Sequence, residues 1–395
     1  MDWCGYKIVA IINKQPSYYV GLMSGTSLDG IDAALIEIKD DDVELLQFIT
    51  FPLQDKYKEP ILHLNQPGFN EIDVMGSLDR ALGFAFAHAA LGVIEQAGLK
   101  PEQITAIASH GQTIRHRPQG INNAEPFTIQ VGCAATIAEK TGITVVSDFR
   151  GRDIAAYGQG APLVPFAHQR LFAEANKNIA LVNIGGIANI TYLGADHTVL
   201  GFDTGPGNMV MDALMQTMSD ARFAYDKNGE LAATGQVNQK LLTTLLQHPF
   251  FAQVPPRSTG REDFGEQVVD QMMAVDICDA DKMATACELT VQSIKNSISY
   301  LPCTPDTWLL CGGGALNQHL KQRLAAAIAP ANLQTTTDIG LPVEAVEAVA
   351  FALLAEKTLK GEPNVLSAVT GASHDVCGGQ ITPGKNWSQL RKGLM

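Results

Sequence analysis

Residues 18–38 read Tyr18-Tyr19-Val20-Gly21-Leu22-Met23-Ser24, then Gly25-Thr26-Ser27-Leu28-Asp29-Gly30, then Ile31-Asp32-Ala33-Ala34-Leu35-Ile36-Glu37-Ile38. An apolar strand enters a Gly/Ser/Thr/Asp turn and a second apolar strand leaves it. That is the pattern of a β-hairpin with glycine where the turn needs positive φ. The pattern returns at 179–184, Gly185-Gly186 and 187–193. Each hairpin is followed by a candidate third strand, at 43–51 and at 198–202. Helices and short apolar strands come next in both halves, the strands at 104–109 and 143–147 in the first and at 308–311 and 333–335 in the second. Helical spacing runs through 72–97, with Val74, Leu78, Leu82, Phe86, Ala89 and Val93 on one face and Gly98 and Pro101 to stop it. It recurs at 284–298, 318–328 and 343–358. The same order twice predicts a duplicated α/β chain with mixed sheets.

A chain of 395 residues exceeds what one compact core usually holds, which also favours two lobes. Gly, Pro and Asp accumulate at 151–165, and the boundary and hinge are expected there. The first lobe is then 1–155, with a tail at 367–395 packing back on it, and the second is 156–366. With 46% hydrophobic and 17% charged residues the chain is not a disordered one. Its net charge of -13 excludes a broad basic nucleic-acid groove. Small anionic ligands stay open, because backbone amides bind phosphate without net positive charge. Seven cysteines (Cys4, Cys133, Cys278, Cys287, Cys303, Cys311, Cys377) form no CxxC pair. Buried reduced thiols are expected, and a cytoplasmic location with them. No apolar run reaches the roughly 18–20 residues of a membrane span, and residues 3–12 read as a start-site extension or a loose leader rather than a signal peptide.

Three turns carry the chemistry. Gly25-Thr26-Ser27-Leu28-Asp29-Gly30 offers converging N–H groups and hydroxyls to phosphate oxygens, although a tight structural hairpin would look the same. It is not a Walker A loop, since no lysine follows and no helix opens after it. Gly201-Phe202-Asp203-Thr204-Gly205-Pro206-Gly207-Asn208 ends a strand and precedes a helix expected at 209–216. Amides at such a helix start face an anion, while Asp203 can take a proton or order a metal-bound water. Leu309-Leu310-Cys311-Gly312-Gly313-Gly314-Ala315-Leu316-Asn317 repeats the strand-to-helix pattern, with glycines that let a flat adenine or a ribose lie on backbone. Three such turns on a duplicated chain exceed what packing alone requires.

The chain thereby resembles the actin, heat-shock ATPase and sugar-kinase superfamily, and within it the 1,6-anhydro-N-acetylmuramic acid kinases. The stretches that carry the resemblance are GLMSGTSLDGIDAALIE (21–37), SHGQTIRHRP (109–118), SDFRGRDIAAYGQGAPLVP (147–165), NIGGIANIT (183–191), GFDTGPGN (201–208), LLCGGGALN (309–317) and EAVAFALLA (347–355). The segment before Tyr18 and the tail past Val369 carry none of them. The resemblance implies a two-lobed duplicated actin-like (ribonuclease H-like) α/β fold with mixed sheets and an interlobe active-site cleft. It implies an enzyme that uses ATP and magnesium to open the 1,6-anhydro bridge and phosphorylate the freed 6-oxygen. The product would be N-acetylmuramic acid 6-phosphate, in peptidoglycan recycling and amino-sugar catabolism. It further implies a homodimer. A conventional sugar or carboxylate kinase and an actin-like or chaperone-type ATPase are the alternatives.

Carried onto this chain, the resemblance assigns ATP to Gly25, Thr26, Ser27, Leu28, Asp29, Gly30, Ile31 and Asp32, to Gly185 and Gly186, to Gly205, Gly207 and Asn208, and to Gly312, Gly313 and Gly314. Asp203 matches the family's catalytic aspartate and Glu347 its substrate-contacting glutamate. Ser109 or His110 is expected on the sugar, with a core histidine as the alternative. Asp148 and Arg150 are expected to flank the cleft, Arg150 pairing with the lactyl carboxylate or else with Asp148 or Asp153 as a surface bridge. No protein metal ligand is assigned, because the six-residue spacing of His110 and His116 favours no ligand pair. The physics of a single base is coherent. A glycosidase needs one carboxyl group to activate water and another to protonate the leaving oxygen. If the γ-phosphoryl group captures that oxygen, one carboxylate suffices.

Overall fold

The computed structural model describes residues 16–394 apart from 26–27 and 122–123. The first sheet is built from β1 (Ser17–Ser24), β2 (Gly30–Lys39), β3 (Asp42–Pro52), β4 (Ile104–Arg117), β5 (Phe127–Val131) and β6 (Val145–Ser147). The second comprises β7 (Ile179–Ile184), β8 (Ile187–Leu193), β9 (Val199–Pro206), β10 (Thr307–Cys311) and β11 (Asn332–Thr335), and β12 (Gln380–Thr382) returns to the first. Along the first sheet the order is β12-β6-β4-β1-β2-β3, with β5 on β4, and along the second it is β11-β10-β7-β8-β9. Without β5 and β12 the two orders correspond strand for strand. In each, the leading hairpin and its third strand are antiparallel, and the later strands join the first one in parallel. This is the duplicated, two-lobed α/β plan with mixed sheets.

Burial is nearly continuous along β1 and through the first half of β4 rather than alternating, as a sheet covered on both faces requires. On one lies the helix Glu71–Gln96, with Leu78, Leu82, Phe86 and Val93 packed against Val20, Leu22, Leu35 and Ile107. By length and composition this helix could cross a membrane, yet half of its most apolar window is buried in the core of the first lobe. On the other face lies Val346–Lys360, where Val349, Phe351 and Ala352 meet Tyr19, Ala34 and Ala106. The approach is close: a Cβ on Gly21 would sit 1.8 Å from Ala348 O. The chain reaches this helix after the second sheet and brings it back to the first. A buried Glu356 accepts from Arg170 and Lys360, tying the helix to Pro165–Phe172. The second sheet packs Val182, Ile184, Ile190, Phe202 and Trp308 against Val210 and Met211 of Met209–Met218 and Leu289 and Val291 of Asp279–Asn296.

Several bounds differ from the sequence expectation. β4 runs to Arg117 rather than stopping at 109, because Gly111 at φ +73 lets the strand bend and continue as the partner of β5. The polar composition of 110–117 hides this extension from an apolar-run criterion. β9 continues through Asp203 to Pro206, so the catalytic candidate lies in a strand. The tail adds β12 antiparallel to β6, and Asn386 Oδ1 accepts from the Thr144 N–H at 2.8 Å. Cys133, Cys278, Cys287, Cys303, Cys311 and Cys377 are free thiols, with Cys278 and Cys303 exposed rather than buried. Cys4 lies outside the described residues.

Candidate active site

The glycine turns of the second lobe adjoin one another. The N–H of Asn208 donates to Gly185 O at 2.7 Å, and those of Gly207 and Met209 donate to Gly186 O at 2.9 and 3.1 Å. The turn after β10 closes on the same place. A Cβ on Gly312 would lie 2.3 Å from Asn183 Oδ1, and one on Gly314 would lie 2.3 Å from Ile184 Cγ2 and 2.9 Å from Asn208 Oδ1. A Cβ on Gly313 would meet nothing within 4 Å, and one on Gly185 only Ile187 O at 3.6 Å. Bare backbone therefore faces outward where the turns meet, as a nucleotide requires. Gly205 plays a different part, since its Cβ would strike Phe251 and Ser293. It lets β9 pack on the helix Asp279–Asn296.

In the first lobe the β1–β2 turn is latched from beneath. Ser24 Oγ donates to Gln112 Oε1 at 2.7 Å, and Gln112 Nε2 donates to Gly25 O at 3.3 Å. Leu28 and Ile31 have their side chains in the core under the turn, so only their main chain can serve a ligand. Gly30 is required by β3, where a Cβ would lie 2.6 Å from Thr50 Cγ2. Thr26 and Ser27 lie outside the described residues. Asp32 accepts from Thr50 Oγ1 at 2.6 Å. Burial, with Asp29, Glu347 and Glu344 nearby, pushes its carboxyl up to about 6. Negative charge is thus concentrated beside this turn.

Glu347 joins the lobes. It opens the helix that packs on the first sheet, and its Oε1 accepts from Asn183 Nδ2 of the second sheet at 3.3 Å. Burial raises its carboxyl above the ordinary range, while Arg150 and the Asn183 bond hold it down. Arg150 donates through Nε and Nη2 to His110 Nε2 at 3.1 and 2.9 Å, and through Nη1 to Gly160 O at 2.7 Å. Burial brings the guanidinium down to about 10, and Glu347 and Asp153 oppose that fall. Arginine cannot accept, so His110 carries its proton on Nδ1, which donates to Gly111 O at 2.9 Å. That ring is neutral, buried, and lies against Phe351 with centroids 4.7 Å apart. The fork expected for a substrate carboxylate is therefore occupied by His110, and neither Asp148 nor Asp153 forms an ion pair with Arg150 among the described residues. What Arg150 supplies is charge beside Glu347.

Strand register places the remaining groups. Cys311 is opposite Asn183, Asn183 opposite Asn189, and Asn189 opposite Asp203. Cross-strand partners share a face of the sheet, so these side chains form one row. With about 4.8 Å between strands, Asp203 stands roughly 10 Å along the row from Asn183 and its Glu347 partner. The same face carries Leu181, Leu309 and Cys311 against Val346, and so looks toward the first lobe. The row lies at the carboxyl ends of β7 and β10, where open α/β sheets bind their ligands. Asp203 is held from outside the sheet. Its Oδ2 accepts from the Thr259 N–H at 2.9 Å, its N–H donates to Arg257 O at 3.1 Å, and its carbonyl accepts from Arg257 Nε at 3.0 Å.

Two expected sugar contacts are not brought to this place. Ser109 is opposite Leu22, on the Glu71–Gln96 side of β4, while His110 points to the other side. Its buried Oγ finds no partner among the described residues. Asp148 accepts from the Gly151 N–H at 3.0 Å and from Gln380 Nε2 at 2.6 Å, and so closes a turn and holds the tail. His168 is a core residue on Thr191 Oγ1 at 2.9 Å, with burial lowering it to about 3. Sequence reading missed Asn183 and Asn189 as site residues although both lie within a quoted stretch, because alternation alone does not say which face is functional. It missed Gln112, and it missed Arg257 and Thr259, whose Pro-Pro-Arg-Ser-Thr-Gly run was visible but attached to no strand.

The family model described as anhydro-N-acetylmuramic acid kinase matches residues 17–384. An anhydro-N-acetylmuramic acid kinase of Caldanaerobacter subterraneus subsp. tengcongensis is 42% identical over 393 residues, covering 95% of this chain and 99% of the relative. One from Shewanella sp. strain ANA-3 is 44% identical over 370 residues, covering 93% and 99%. Among solved structures, the activator of the 2-hydroxyisocaproyl-CoA dehydratase from Clostridium difficile with bound ADPNP aligns at 11% identity and a TM-score of 0.43, over 86% of this chain and 94% of that one. A ROK family glucokinase from Streptomyces griseus in complex with glucose and AMPPNP aligns at 11% and 0.38, over 86% and 100%.

Proposed function

The chain belongs to the anhydro-N-acetylmuramic acid kinase family, and from that premise we propose how its residues perform the reaction. It is an ATP-dependent phosphotransferase acting on an alcohol oxygen of 1,6-anhydro-N-acetylmuramic acid in peptidoglycan recycling. Water attacks the anomeric carbon and Asp203 takes its proton. The C1–O6 bond breaks, the 6-oxygen attacks the γ-phosphorus, and ADP leaves, giving N-acetylmuramic acid 6-phosphate. The observation that carries this reading is the row on the second sheet, with Asp203 at one end and the Asn183–Glu347 bond at the other. A sugar ring fits a gap of roughly 10 Å with room for water on the Asp203 side. Glu347 is then placed to accept from a sugar hydroxyl, its charge balanced by Arg150. The turns at Gly185–Gly186, Gly207–Asn208 and Gly312–Gly314, with the β1–β2 turn opposite, would hold the triphosphate.

Among the described residues no three His, Cys, Asp or Glu groups form a metal cluster. The crowding of Asp29, Glu344 and Glu347 on Asp32 nevertheless fits a hydrated magnesium ion shared with the nucleotide's own phosphates. Asp29 and Asp32 would hold its waters. Bound there, magnesium supplies charge neutralisation to the phosphates as they transfer. The free thiols suit a reducing cytoplasm. The homodimer is carried as part of this reading and is measured by sedimentation velocity.

The reaction is tested in heavy-oxygen water with product mass spectrometry. Label is expected on the anomeric hydroxyl, with unlabelled phosphate on the 6-oxygen and one ADP for each sugar opened. Label in released inorganic phosphate, or phosphorylation without ring opening, would overturn the scheme.

A further inference from the structure

Asp203 lies on β9, the last strand of the second sheet, so its outward main-chain groups need partners from elsewhere. Arg257 takes both. The Asp203 N–H donates to Arg257 O at 3.1 Å, and Arg257 Nε donates to Asp203 O at 3.0 Å. Arg257 Nη1 donates to Gln253 O at 2.8 Å, closing its own loop. The guanidinium is caged by aromatic rings, its carbon 5.6 Å from the centroid of Phe202, 4.7 Å from Phe250 and 5.0 Å from Tyr300. The residue is only 8% exposed. Two residues on, the Thr259 N–H donates to Asp203 Oδ2 at 2.9 Å, and Thr259 Oγ1 donates to Asp263 Oδ2 at 2.6 Å.

A buried cation is a costly way to fill a cage of three rings, since an apolar side chain of similar volume needs no desolvation. Nε and Nη1 of the guanidinium are directed at main-chain carbonyls, one of them that of Asp203, and the Tyr300 side chain is a further hydrogen-bond partner. We propose that Arg257 is a positioning residue for Asp203: anchored in its aromatic cage, it fixes the main chain at Asp203 and holds the 257–259 turn so that the Thr259 N–H sets the rotation of the carboxylate. The attacking water then meets the same carboxylate edge in every turnover. A base displaced by even 1 Å loses much of its rate, while ligand binding elsewhere in the cleft is untouched. The inference rests on Asp203 being the base.

The test uses the full chain with three variants, Arg257→Met, Arg257→Lys and Asp203→Asn. Thermal melts and nucleotide titration confirm that each is folded at the assay temperature. R257M is expected to lower kcat about 50-fold, with KM for ATP and for the anhydro-sugar within about threefold of wild type. R257K keeps a cation in the cage with a donor near the Asp203 carbonyl, and kcat is expected about fivefold below wild type. R257M at wild-type kcat beside an inactive D203N overturns the inference and leaves the base in place. D203N at wild-type turnover overturns the base itself. Loss spread equally over kcat and both KM values means a merely structural arginine and also overturns the inference. Should R257M fail to fold, R257K decides: reduced kcat at unchanged KM supports the proposal, and wild-type kcat refutes it.

Discussion

Asp203→Asn lowers turnover about 10³-fold while the affinity for ATP stays within about twofold. Asparagine keeps the shape of the side chain and an oxygen for the Thr259 N–H, and the two main-chain bonds to Arg257 do not involve the side chain at all. The geometry of β9 therefore survives. What disappears is the capacity to take a proton from water. Because the departing 6-oxygen is captured by phosphorus, no second carboxyl group stands ready to replace the lost base. Single-turnover ADP release and sugar opening, measured together, should fall in step. Nucleotide affinity is read separately by titration. If affinity for ATP falls as far as turnover does, Asp203 serves the nucleotide or its metal and the assignment as base is lost.

Glu347→Gln separates function from stability. Burial has raised the Glu347 carboxyl, with Arg150 and Asn183 opposing the shift only in part. For an acid raised in the folded state, the ionised form is penalised by folding, so stability is lost as pH rises through the raised pKa. Glutamine carries no such penalty. E347Q should melt no lower than wild type at pH 8, and any advantage should shrink as pH falls toward the ordinary carboxylate range. Activity moves the other way. A charged acceptor for a sugar hydroxyl is exchanged for a neutral one, and Arg150 keeps only the charge of Asp153 near it. The value of kcat/KM for the anhydro-sugar should fall about 30-fold or more, with KM for ATP little changed. Wild-type kcat/KM for the sugar would remove Glu347 from the substrate site. A melt well below wild type at pH 8 would mean that the Glu347 charge, set against Arg150, holds the lobes together and does little else.

Both substitutions act on one row of side chains, yet the two residues differ in how visible they are in the chain. Asp203 stands inside a strand-to-glycine-turn pattern, and local chemistry is enough to single it out. Glu347 sits among Glu344 and Glu356 on a helix, where a solvated face is the ordinary explanation. Glu356 in fact lies in a buried ion-pair cluster with Arg170 and Lys360. Glu347 gains meaning from Asn183, which is 164 residues away. Ser109 shows the opposite error. Next to His110 in sequence, it points to the other face of β4, because neighbours on a strand diverge. Arg150 has the chemistry of a carboxylate fork, and its fork is occupied by His110.

What residue order determined is whatever depends on a few neighbours. The two hairpins, their third strands, the glycine turns, the long amphipathic helices and the duplication were all legible, since turn geometry and periodicity are short-range properties. The tertiary structure alone decided which faces meet. It returned the helix Val346–Lys360 to the first sheet, brought Asn183 to Glu347, and laid the loop bearing Arg257 along the open edge of β9. Those pairings are selected by burial of apolar faces and by satisfaction of edge-strand hydrogen bonds across long stretches of chain. No local pattern records them, because each half of the contact is an ordinary strand or helix until the other half arrives.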